Sequence, residues 1–344
     1  MNTTFLSACR GEKTSYTPVW FMRQAGRYLP EYQMIRGKVS FLELCKNPEL
    51  CTEVTIQPID RFGFDAAILF SDILIPMEAM DLRLEFHENR GPLFPEPVRT
   101  QKAVDKLRIP VPEEDVPFVL ETIHLLRRAL NIPLIGFAGA PFTLATYLIE
   151  GGSSKNFLNT KKMMFQEPKL YHTLLTKITA CTSAYLQAQA RAGVQALQLF
   201  DSWAGILAPC DYEEFALPYV RSIIDDLRSM TQVPLIYFAN NGATLTRLTT
   251  TLGADVLSFD WRLPIIEAVR RAGGHAVQGN LDPIALFLPQ KKLEERIYNM
   301  LLDAREARGY IFNLGHGILP ETPPEQVRIA VDAVHRFSDK DICS

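Results

Sequence analysis

The residues that decide the fold lie near the N-terminus, in the stretch Val19-Trp20-Phe21-Met22-Arg23-Gln24-Ala25-Gly26-Arg27-Tyr28-Leu29-Pro30. Its first four residues are apolar and follow a proline, which predicts a buried strand, and Gln-Ala-Gly then ends that strand between two arginines. Because arginine keeps its charge when it is desolvated, two guanidinium groups at one strand end are costly unless an anion meets them. The stretch therefore predicts a carboxylate or phosphate site, with structural arginines bonded to carbonyls or internal carboxylates as the alternative.

The composition of the 344-residue chain is that of a globular protein, with 47% hydrophobic and 22% charged residues. A formal net charge of −3 and the lack of a Lys/Arg-rich run argue against nucleic-acid binding. No apolar window is long enough to span a bilayer, and no signal-peptide pattern is present, so neither membrane insertion nor secretion is expected. Six scattered cysteines without zinc-site spacing predict reduced thiols and a cytoplasmic location.

Short apolar runs, bounded by turn residues, recur along the whole chain and predict strands. There are eight of them: Val19–Met22, Ala66–Phe70, Pro133–Phe137, Ala196–Phe200, Pro234–Phe238, Val256–Phe259, His275–Gln278 and Tyr310–Leu314.

Amphipathic stretches of helix length separate these runs, among them Glu49–Arg61, Asp211–Met230, Leu293–Arg305 and Pro324–Phe337. Eightfold alternation of strand and helix favours a closed parallel sheet, the α/β class (β/α)8 TIM barrel, which needs about 250 residues. The residues in excess of this length lie mostly in two places. One is Leu82–Val98, which is predicted to be a small hairpin inserted after the second strand, and the other is the long helical stretch Met163–Gly193. No linker or low-complexity segment divides the chain, so residues 1–344 are expected to form a single domain.

Polar residues follow nearly every predicted strand, where a barrel of this kind carries its chemistry. In chain order these are Arg23 and Arg27, Ser71 and Asp72, Gly139 with Tyr147 in the following helix, Asp201 and Ser202, Asn240 and Asn241, Asp260 and Trp261, Asn280 and Asp282, and His316.

Three common barrel chemistries fit this pattern poorly. A Schiff-base enzyme needs a lysine at a strand end, and none of the eight runs contains or directly precedes one. A retaining glycosidase prefers acidic glutamates, which are missing from the strand ends. A metal hydrolase needs several histidines there, whereas His275 lies at the opposite, N-terminal end of its strand and only His316 is correctly placed. No nucleotide-binding glycine loop occurs either, so no cofactor or metal is expected.

An apolar mouth with cationic corners suits a flat, hydrophobic molecule that carries several carboxylates. Each polar residue also has a plain structural explanation. Asp72 and Ser202 are suitable helix caps, Tyr147 is suitable for a core with its hydroxyl satisfied, and His316 lies between two glycines in a loop.

With these residues identified, the chain resembles the uroporphyrinogen decarboxylase family from end to end. The resemblance is carried by five blocks in order: residues 18–32, which contain the opening stretch; Phe70-Ser71-Asp72-Ile73-Leu74; residues 136–152, from Gly136-Phe137-Ala138-Gly139-Ala140-Pro141 to Gly151-Gly152; Leu199-Phe200-Asp201-Ser202-Trp203-Ala204-Gly205; and Asn313-Leu314-Gly315-His316-Gly317.

The resemblance implies a cofactor-free homodimer, its two mouths facing each other, that converts the four acetate arms of uroporphyrinogen to methyls and gives coproporphyrinogen. It implies that Asp72 accepts the pyrrole N–H groups beneath the macrocycle and acts in catalysis. The other substrate-binding residues that it implies are Arg23, Gln24, Ala25, Gly26, Arg27, Tyr147, Ser202 and His316. One departure is Trp203, since some members carry Glu-Ser-His where this chain has Asp-Ser-Trp, so the resemblance implies no role for it.

Two alternatives are left open. Related barrels that transfer methyl groups bind zinc through a His-x-Cys pair and a further cysteine, but His275-Ala276-Val277 lacks that cysteine and none occurs in Asn313–Gly317. A non-catalytic carrier of anionic tetrapyrroles would use the same arginines without turnover.

Overall fold

A computed structural model of the chain describes residues 2–87 and 91–338. Seven of its strands form one parallel sheet in the order β1-β4-β5-β6-β7-β8-β9, and two more form an antiparallel pair. The strands are β1 Ala67–Ile68, β2 Glu85–His87, β3 Gly91–Leu93, β4 Leu134–Gly139, β5 Ala196–Asp201, β6 Leu235–Ala239, β7 Val256–Ser258, β8 Ala276–Leu281 and β9 Tyr310–Leu314.

Helices cover the outside of this curled sheet, as the predicted barrel requires. They are α1 Thr4–Cys9, α2 Pro30–Arg36, α3 Phe41–Lys46, α4 Pro48–Phe62, α5 Ile75–Glu78, α6 Gln101–Lys106, α7 Pro112–Asp115, α8 Pro117–Ala129, α9 Pro141–Glu150, α10 Leu158–Gln166, α11 Pro168–Ala192, α12 Pro209–Phe215, α13 Leu217–Arg228, α14 Thr246–Thr249, α15 Ile265–Arg271, α16 Gln290–Asp303 and α17 Pro324–Ser338, with 3-10 turns at Ala204–Ile206, Ala243–Leu245 and Pro283–Phe287.

The predicted first strand closes the barrel between β9 and β1, but it forms no regular ladder. Val19 pairs in parallel with Phe312 through a single bridge. Its carbonyl accepts a hydrogen bond from the backbone N–H of Asp65, 2.9 Å away, which joins this segment to the chain leading into β1. The eighth position of the barrel is therefore occupied by an irregular segment.

Side-chain oxygens replace the missing ladder bonds in this segment. The N–H of Val19 donates to Asp65 Oδ2 at 2.8 Å, that of Phe21 to Gln24 Oε1 at 3.2 Å, and that of Met22 to Asn313 Oδ1 at 3.1 Å. Buried backbone donors must find an acceptor, so these side chains allow the chain to leave strand geometry early.

Prolines divide two of the predicted helical stretches. The stretch Met163–Gly193 contains the end of α10 and all of α11, which begins at Pro168. The stretch Asp211–Met230 is divided into α12 and α13 at Ala216, two residues before Pro218. Proline disfavours helical geometry in the residue before it, which explains the division before Pro168. Proline also lacks the N–H that a continuous helix needs, which weakens the helix around Pro218.

The predicted hairpin after the second strand is confirmed. β2 and β3 pair antiparallel, with Glu85 opposite Leu93 and His87 opposite Gly91. Of the residues around which the hairpin was predicted, Glu88–Pro92, positions 88–90 lie outside the described part of the chain.

A polar layer crosses the inside of the barrel below its mouth. The indole N–H of Trp20 donates to Gln278 Oε1 at 2.9 Å, and the amide nitrogen of Gln278 lies 3.1 Å from Gln198 Oε1 and 3.0 Å from Ser258 Oγ. Both glutamines are fully buried. Since these hydrogen bonds join the opening stretch to β5, β7 and β8, they fix the relative positions of strands whose ends form the mouth.

No helix within residues 2–87 and 91–338 has the length and apolar character that crossing a bilayer requires. In the same ranges five cysteines are free thiols, four of them buried, and only Cys210 is exposed. The sixth, Cys343, lies outside the described residues.

Candidate active site

Arg23 occupies an unusual position at the end of the opening segment. Its backbone has a left-handed φ of 61°, which is uncommon for a residue with a side chain. Its exposed side chain runs across Gly317, where a Cβ atom would lie 2.3 Å from Arg23 Cδ. The absence of a side chain at Gly317 therefore provides the space in which Arg23 lies.

The residues after Arg23 differ in what they can offer a ligand. Gln24 is fully buried, and its amide nitrogen donates to the carbonyl of Ala66 at 3.1 Å while its amide oxygen accepts from Phe21. Its backbone carbonyl accepts from the hydroxyl of Tyr28 at 2.8 Å. The side chain of Gln24 is thus bonded within the protein, and the substrate contact that the resemblance implies for this residue stays a prediction.

Arg27 differs from Arg23 in the groups on which its charge acts. It is exposed, while Ala25 and Gly26 between the two arginines are half-buried. Its charge acts on Tyr32, whose pKa is raised to about 12 by burial, against the opposing effects of Arg36 and Arg27. Because its side chain is exposed, Arg27 can meet a carboxylate of a ligand from solvent.

Asp72 lies just beyond β1, half-buried in the mouth. Its Oδ1 accepts from the backbone N–H of Leu74 at 2.9 Å, so it turns the chain locally, as a structural role would require. Among the described residues its Oδ2 has no hydrogen-bond donor. Burial raises the pKa of Asp72, whereas the Leu74 N–H and the positive charge of Arg23 act in the opposite direction. Asp72 and Arg23 are thus close enough to interact.

Tyr147 approaches the same carboxylate from α9. Burial and the negative charge of Asp72 raise its pKa, and a hydrogen bond with Trp203 and the charge of Arg23 partly oppose this. Its ring centroid lies 6.2 Å from that of Trp203. Tyr147 therefore keeps its hydroxyl proton at neutral pH and can donate a hydrogen bond.

Ser202 is half-buried at the end of β5, beside Trp203. Its carbonyl accepts from Asn240 Nδ2 at 3.2 Å. The preceding residue, Asp201, is fully buried and accepts from Thr143 Oγ1 at 2.6 Å and from the Tyr237 hydroxyl at 2.8 Å. This carboxyl therefore joins α9, which carries Tyr147, to β5 and β6.

Burial raises the pKa of Asp201 to about 6, although both hydrogen bonds that it accepts favour its charged form. Thr143 Oγ1 also accepts from the backbone N–H of Trp203 at 3.1 Å. The loop that carries Ser202 is thus fixed by a carboxyl that titrates close to neutral pH.

His316 completes the mouth after β9. Burial lowers its pKa to about 4, and the positive charges of Arg23 and Arg262 act in the same direction. The imidazole is therefore neutral at pH 7. Arg23 acts on Asp72, Tyr147 and His316 alike, so these four predicted residues share one neighbourhood.

Arg262 is a charged residue of the mouth that the sequence patterns did not single out. It follows the predicted strand end at Asp260 by two residues, and that spacing was the signal available. Across the described residues, no three His, Cys, Asp or Glu side chains come together in a metal-binding cluster.

Arg23 beside the carboxylate of Asp72, together with the partly buried Tyr147, Phe200 and Trp203, can bind a flat polycarboxylate and stabilise a cation that forms beside Asp72. Comparison with known proteins agrees with this interpretation of the site. The family model for uroporphyrinogen decarboxylase matches residues 1–337.

Two curated relatives carry the name uroporphyrinogen decarboxylase. That of Desulfotalea psychrophila is 66% identical over 99% of this chain and 100% of its own length, and that of Carboxydothermus hydrogenoformans is 52% identical over 98% and 97%. Among solved structures, a methyltransferase from Methanosarcina mazei matches 98% of both chains with a TM-score of 0.82 at 20% identity, which supports the fold alone. The chain belongs to the uroporphyrinogen decarboxylase family.

Proposed function

We propose that this chain decarboxylates the four acetate side chains of uroporphyrinogen III to methyls, giving coproporphyrinogen III and CO2, as a cofactor-independent carboxy-lyase of porphyrin and haem biosynthesis. One observation carries the proposal. Asp72 has an oxygen without a donor among the described residues, and it lies at a strand end within electrostatic reach of Arg23. The family of the chain supplies the substrate.

Binding uses the arginines of the opening stretch. Arg23 and Arg27 neutralise carboxylates of the substrate, and charge-assisted hydrogen bonds of this kind contribute about 1.5 to 3 kcal/mol each where they are shielded from water. Since both side chains are exposed before binding, the lower end of that range applies. Tyr147, Ser202 and His316 add neutral contacts, and together they hold the macrocycle in one orientation.

Loss of CO2 from a pyrrole acetate needs an electron sink. A proton adds to the pyrrole α-carbon next to the ring carbon that bears the acetate, which leaves a cation delocalised over that ring carbon and the nitrogen. The C–C bond electrons then flow into this cation as CO2 leaves, giving an exocyclic methylene. A second proton converts the resulting methylene to a methyl, and the first proton leaves the ring carbon, which restores the pyrrole. Asp72 accepts the pyrrole N–H groups and stabilises the cation as it forms, an effect that in other sites reaches about 3 to 4 kcal/mol.

The groups that can deliver the proton differ in acidity. Arg23 carries a proton but is a poor acid in water. Tyr147 holds its proton firmly, because burial and Asp72 raise its pKa. His316 is neutral at pH 7 before substrate binds, since its pKa is lowered to about 4. A bound water is the remaining source. Negative charge brought by the substrate raises the pKa of both Tyr147 and His316 and so favours their protonated forms.

The proposal includes a single domain over residues 1–344, a homodimer with facing mouths and a cytoplasmic location. An exposed apolar side chain next to the arginine turn, Met34 on α2 with 66% of its surface accessible, supports a protein contact there. Four buried free thiols suit a reducing compartment. Sedimentation equilibrium measures the dimer directly, and a mass that stays monomeric at micromolar concentration contradicts it.

The decisive experiment is anaerobic incubation of the protein with uroporphyrinogen III, followed by oxidation and chromatography of the products. The wild type should give coproporphyrin, whereas Asp72→Asn should keep its melting temperature and lose turnover by about 100-fold or more. Stoichiometric binding without any loss of carboxylates identifies a tetrapyrrole carrier instead. Near-normal turnover of Asp72→Asn removes this carboxylate from the chemistry.

A further inference from the structure

An arginine that the proposed function leaves unused, Arg262, lies at the mouth of the barrel. It comes four residues after the end of β7, on the side of the sheet where Asp72 and His316 also emerge. Of its side chain, 45% is exposed to solvent. The permanently charged guanidinium is therefore accessible to a ligand from solvent.

Local contacts hold the guanidinium of Arg262 in a defined orientation. Its Nη1 lies 3.2 Å from Asp260 Oδ1, which also accepts the backbone N–H of Arg262 at 2.9 Å. Its guanidinium carbon lies 4.3 Å from the centroid of the Trp261 ring, within the range of a cation–π contact. A charge that is already oriented loses little conformational freedom when it binds an anion.

The ion pair uses only some of the hydrogen-bonding groups of Asp260 and Arg262. Asp260 is 3% exposed and its Oδ2 accepts the backbone N–H of Asn241, so part of its charge is directed to the backbone. Within residues 2–87 and 91–338, the Nε and Nη2 groups of Arg262 have no hydrogen-bond acceptor. Since carboxylates are often bound by two guanidinium N–H groups at once, Arg262 retains the donors for such a contact.

The loop that carries His316 lies between Arg262 and Arg23. A Cβ atom on Gly315 would lie 2.5 Å from the backbone nitrogen of Trp261, whereas one on Gly317 would lie 2.3 Å from Arg23 Cδ. The two glycines therefore pack this loop against the two arginine-bearing segments, one on each side. The charges of both arginines also act on His316, as expected if they flank it.

We propose that Arg262 is a further substrate-binding residue, which holds a carboxylate arm of the macrocycle on the far side of His316 from Arg23. The inference rests on the proposed function, because it requires a ring that carries carboxylates around its whole edge. Arg23 and Arg27 both come from one turn and contact one part of such a ring, whereas Arg262 approaches it from β7.

The test compares wild type with Arg262→Gln and Arg262→Lys in anaerobic steady-state kinetics with uroporphyrinogen III. Arg262→Gln should raise KM about tenfold while kcat changes less than about twofold, because one charge-assisted contact made equally to substrate and transition state is lost. Arg262→Lys keeps the charge but not the paired donors, so its KM should lie between those of the wild type and Arg262→Gln. Arg270→Gln, on the outer helix α15, removes an exposed arginine that is paired with Glu267 at 3.9 Å and should leave KM unchanged.

Direct binding of uroporphyrin III, followed through quenching of tryptophan fluorescence, separates this inference from the proposed function. A wild type that binds but does not turn over refutes the proposed function, and the dissociation constant of Arg262→Gln then still decides the role of Arg262. Unchanged KM and binding in Arg262→Gln overturn the inference. So does a lower melting temperature without weaker binding, since Arg262 would then only hold the Asp260 turn.

Discussion

At the scale of single residues, opposed charges prepare the site before a substrate arrives. Burial raises the pKa of Asp72, and Arg23 favours its ionised form. His316 contributes no charge at neutral pH, because its pKa is lowered to about 4. An incoming carboxylate therefore meets cationic arginines at the edge of the mouth and one acidic group at its centre, which is suited to the pyrrole N–H groups of a ring.

A substitution at Gly317 tests whether the space beside Arg23 matters. In Gly317→Ala the new methyl would lie 2.3 Å from Arg23 Cδ, so the side chain must move. Because φ at Gly317 is not in the left-handed region, alanine strains the backbone little and stability should change by less than about 1 kcal/mol. We expect KM for uroporphyrinogen to rise by about tenfold, as for the loss of one charged contact.

The control is Gly37→Ala, at the exposed C-terminal end of α2, which should leave KM unchanged. In an Arg23→Ala background the methyl meets no arginine atoms, so adding Gly317→Ala should have no further effect on KM. An equal rise of KM in both backgrounds would show that the glycine acts independently of Arg23.

Asp201 gives a pH dependence of stability with a defined sign. Its pKa rises from an ordinary value of 3.8 to about 6 in the folded protein. Between these values the folded protein binds a proton that the unfolded chain does not, so this group makes unfolding less favourable as the pH falls. The ionised form of Asp201 therefore destabilises the folded protein, fully above about pH 6 and not at all below about pH 4. The destabilisation amounts to about 3 kcal/mol, because each pKa unit corresponds to about one to two kcal/mol.

Asp201→Asn removes this titration. The free energy of unfolding of wild type relative to Asp201→Asn, measured in urea, should therefore increase by about 3 kcal/mol between pH 7 and pH 4. Asp332→Asn on α17, which removes an exposed carboxylate, is the control for the loss of one charge. A constant difference between the two proteins across this range would mean that Asp201 is not perturbed in the folded state.

At the scale of elements, the apolar runs predicted the seven strands of the sheet, and the alternation of apolar and polar residues in Leu82–Val98 predicted the hairpin. Burial on both faces gives parallel strands a continuous apolar pattern that local sequence reveals. The run Val19–Met22 has the same pattern, yet it forms only one bridge, because Asp65, Gln24 and Asn313 offer its N–H groups other acceptors. Gln24 follows the run closely, but Asp65 and Asn313 are so distant in sequence that they cannot be inferred from the run itself.

The candidate site, too, could be predicted from the sequence only in part. The strand-end rule located Asp72 and His316, because the carboxyl ends of parallel strands meet at one mouth. It did not reveal that the polar side chain of Gln24 points into the scaffold, since a surface and an interior glutamine have the same letter in the sequence. It also passed over Arg262, whose partner Asp260 looked like the functional residue of its strand end.

Gln24→Met tests the scaffold role of this glutamine. Methionine has a similar volume but leaves the N–H of Phe21 and the carbonyl of Ala66 without their partners. Each of the two orphaned buried groups costs about 1 to 3 kcal/mol, so unfolding in urea should become about 2 to 6 kcal/mol easier. Gln101→Met, at an exposed position of α6, should change stability by less than about 0.5 kcal/mol. Full stability with a raised KM would instead make Gln24 a substrate contact.

At the scale of the whole molecule, a protein with a formal net charge of −3 must attract a substrate that carries many negative charges. The net charge belongs to all 344 residues, whereas Arg23 and Arg262 both act on His316, and Arg27 follows Arg23 in the same turn. Beyond the Debye length, about 10 Å at 0.1 M salt, the distributed charge is largely screened. The local arginines should therefore dominate the encounter, although the molecule as a whole repels the substrate.

Ionic strength separates these two contributions. Because Arg23, Arg27 and Arg262 are all exposed, salt should weaken their contacts, and KM should rise severalfold between about 0.05 M and 0.5 M salt while kcat changes little. Arg27→Gln should show a higher KM at low salt and a shallower dependence on salt, since fewer charges remain to be screened. Replacing sodium chloride with potassium acetate controls for specific anion binding. A KM that falls as salt is added would show that repulsion by the whole molecule outweighs attraction by the mouth, and the arginines would then lose their assigned role in holding carboxylates.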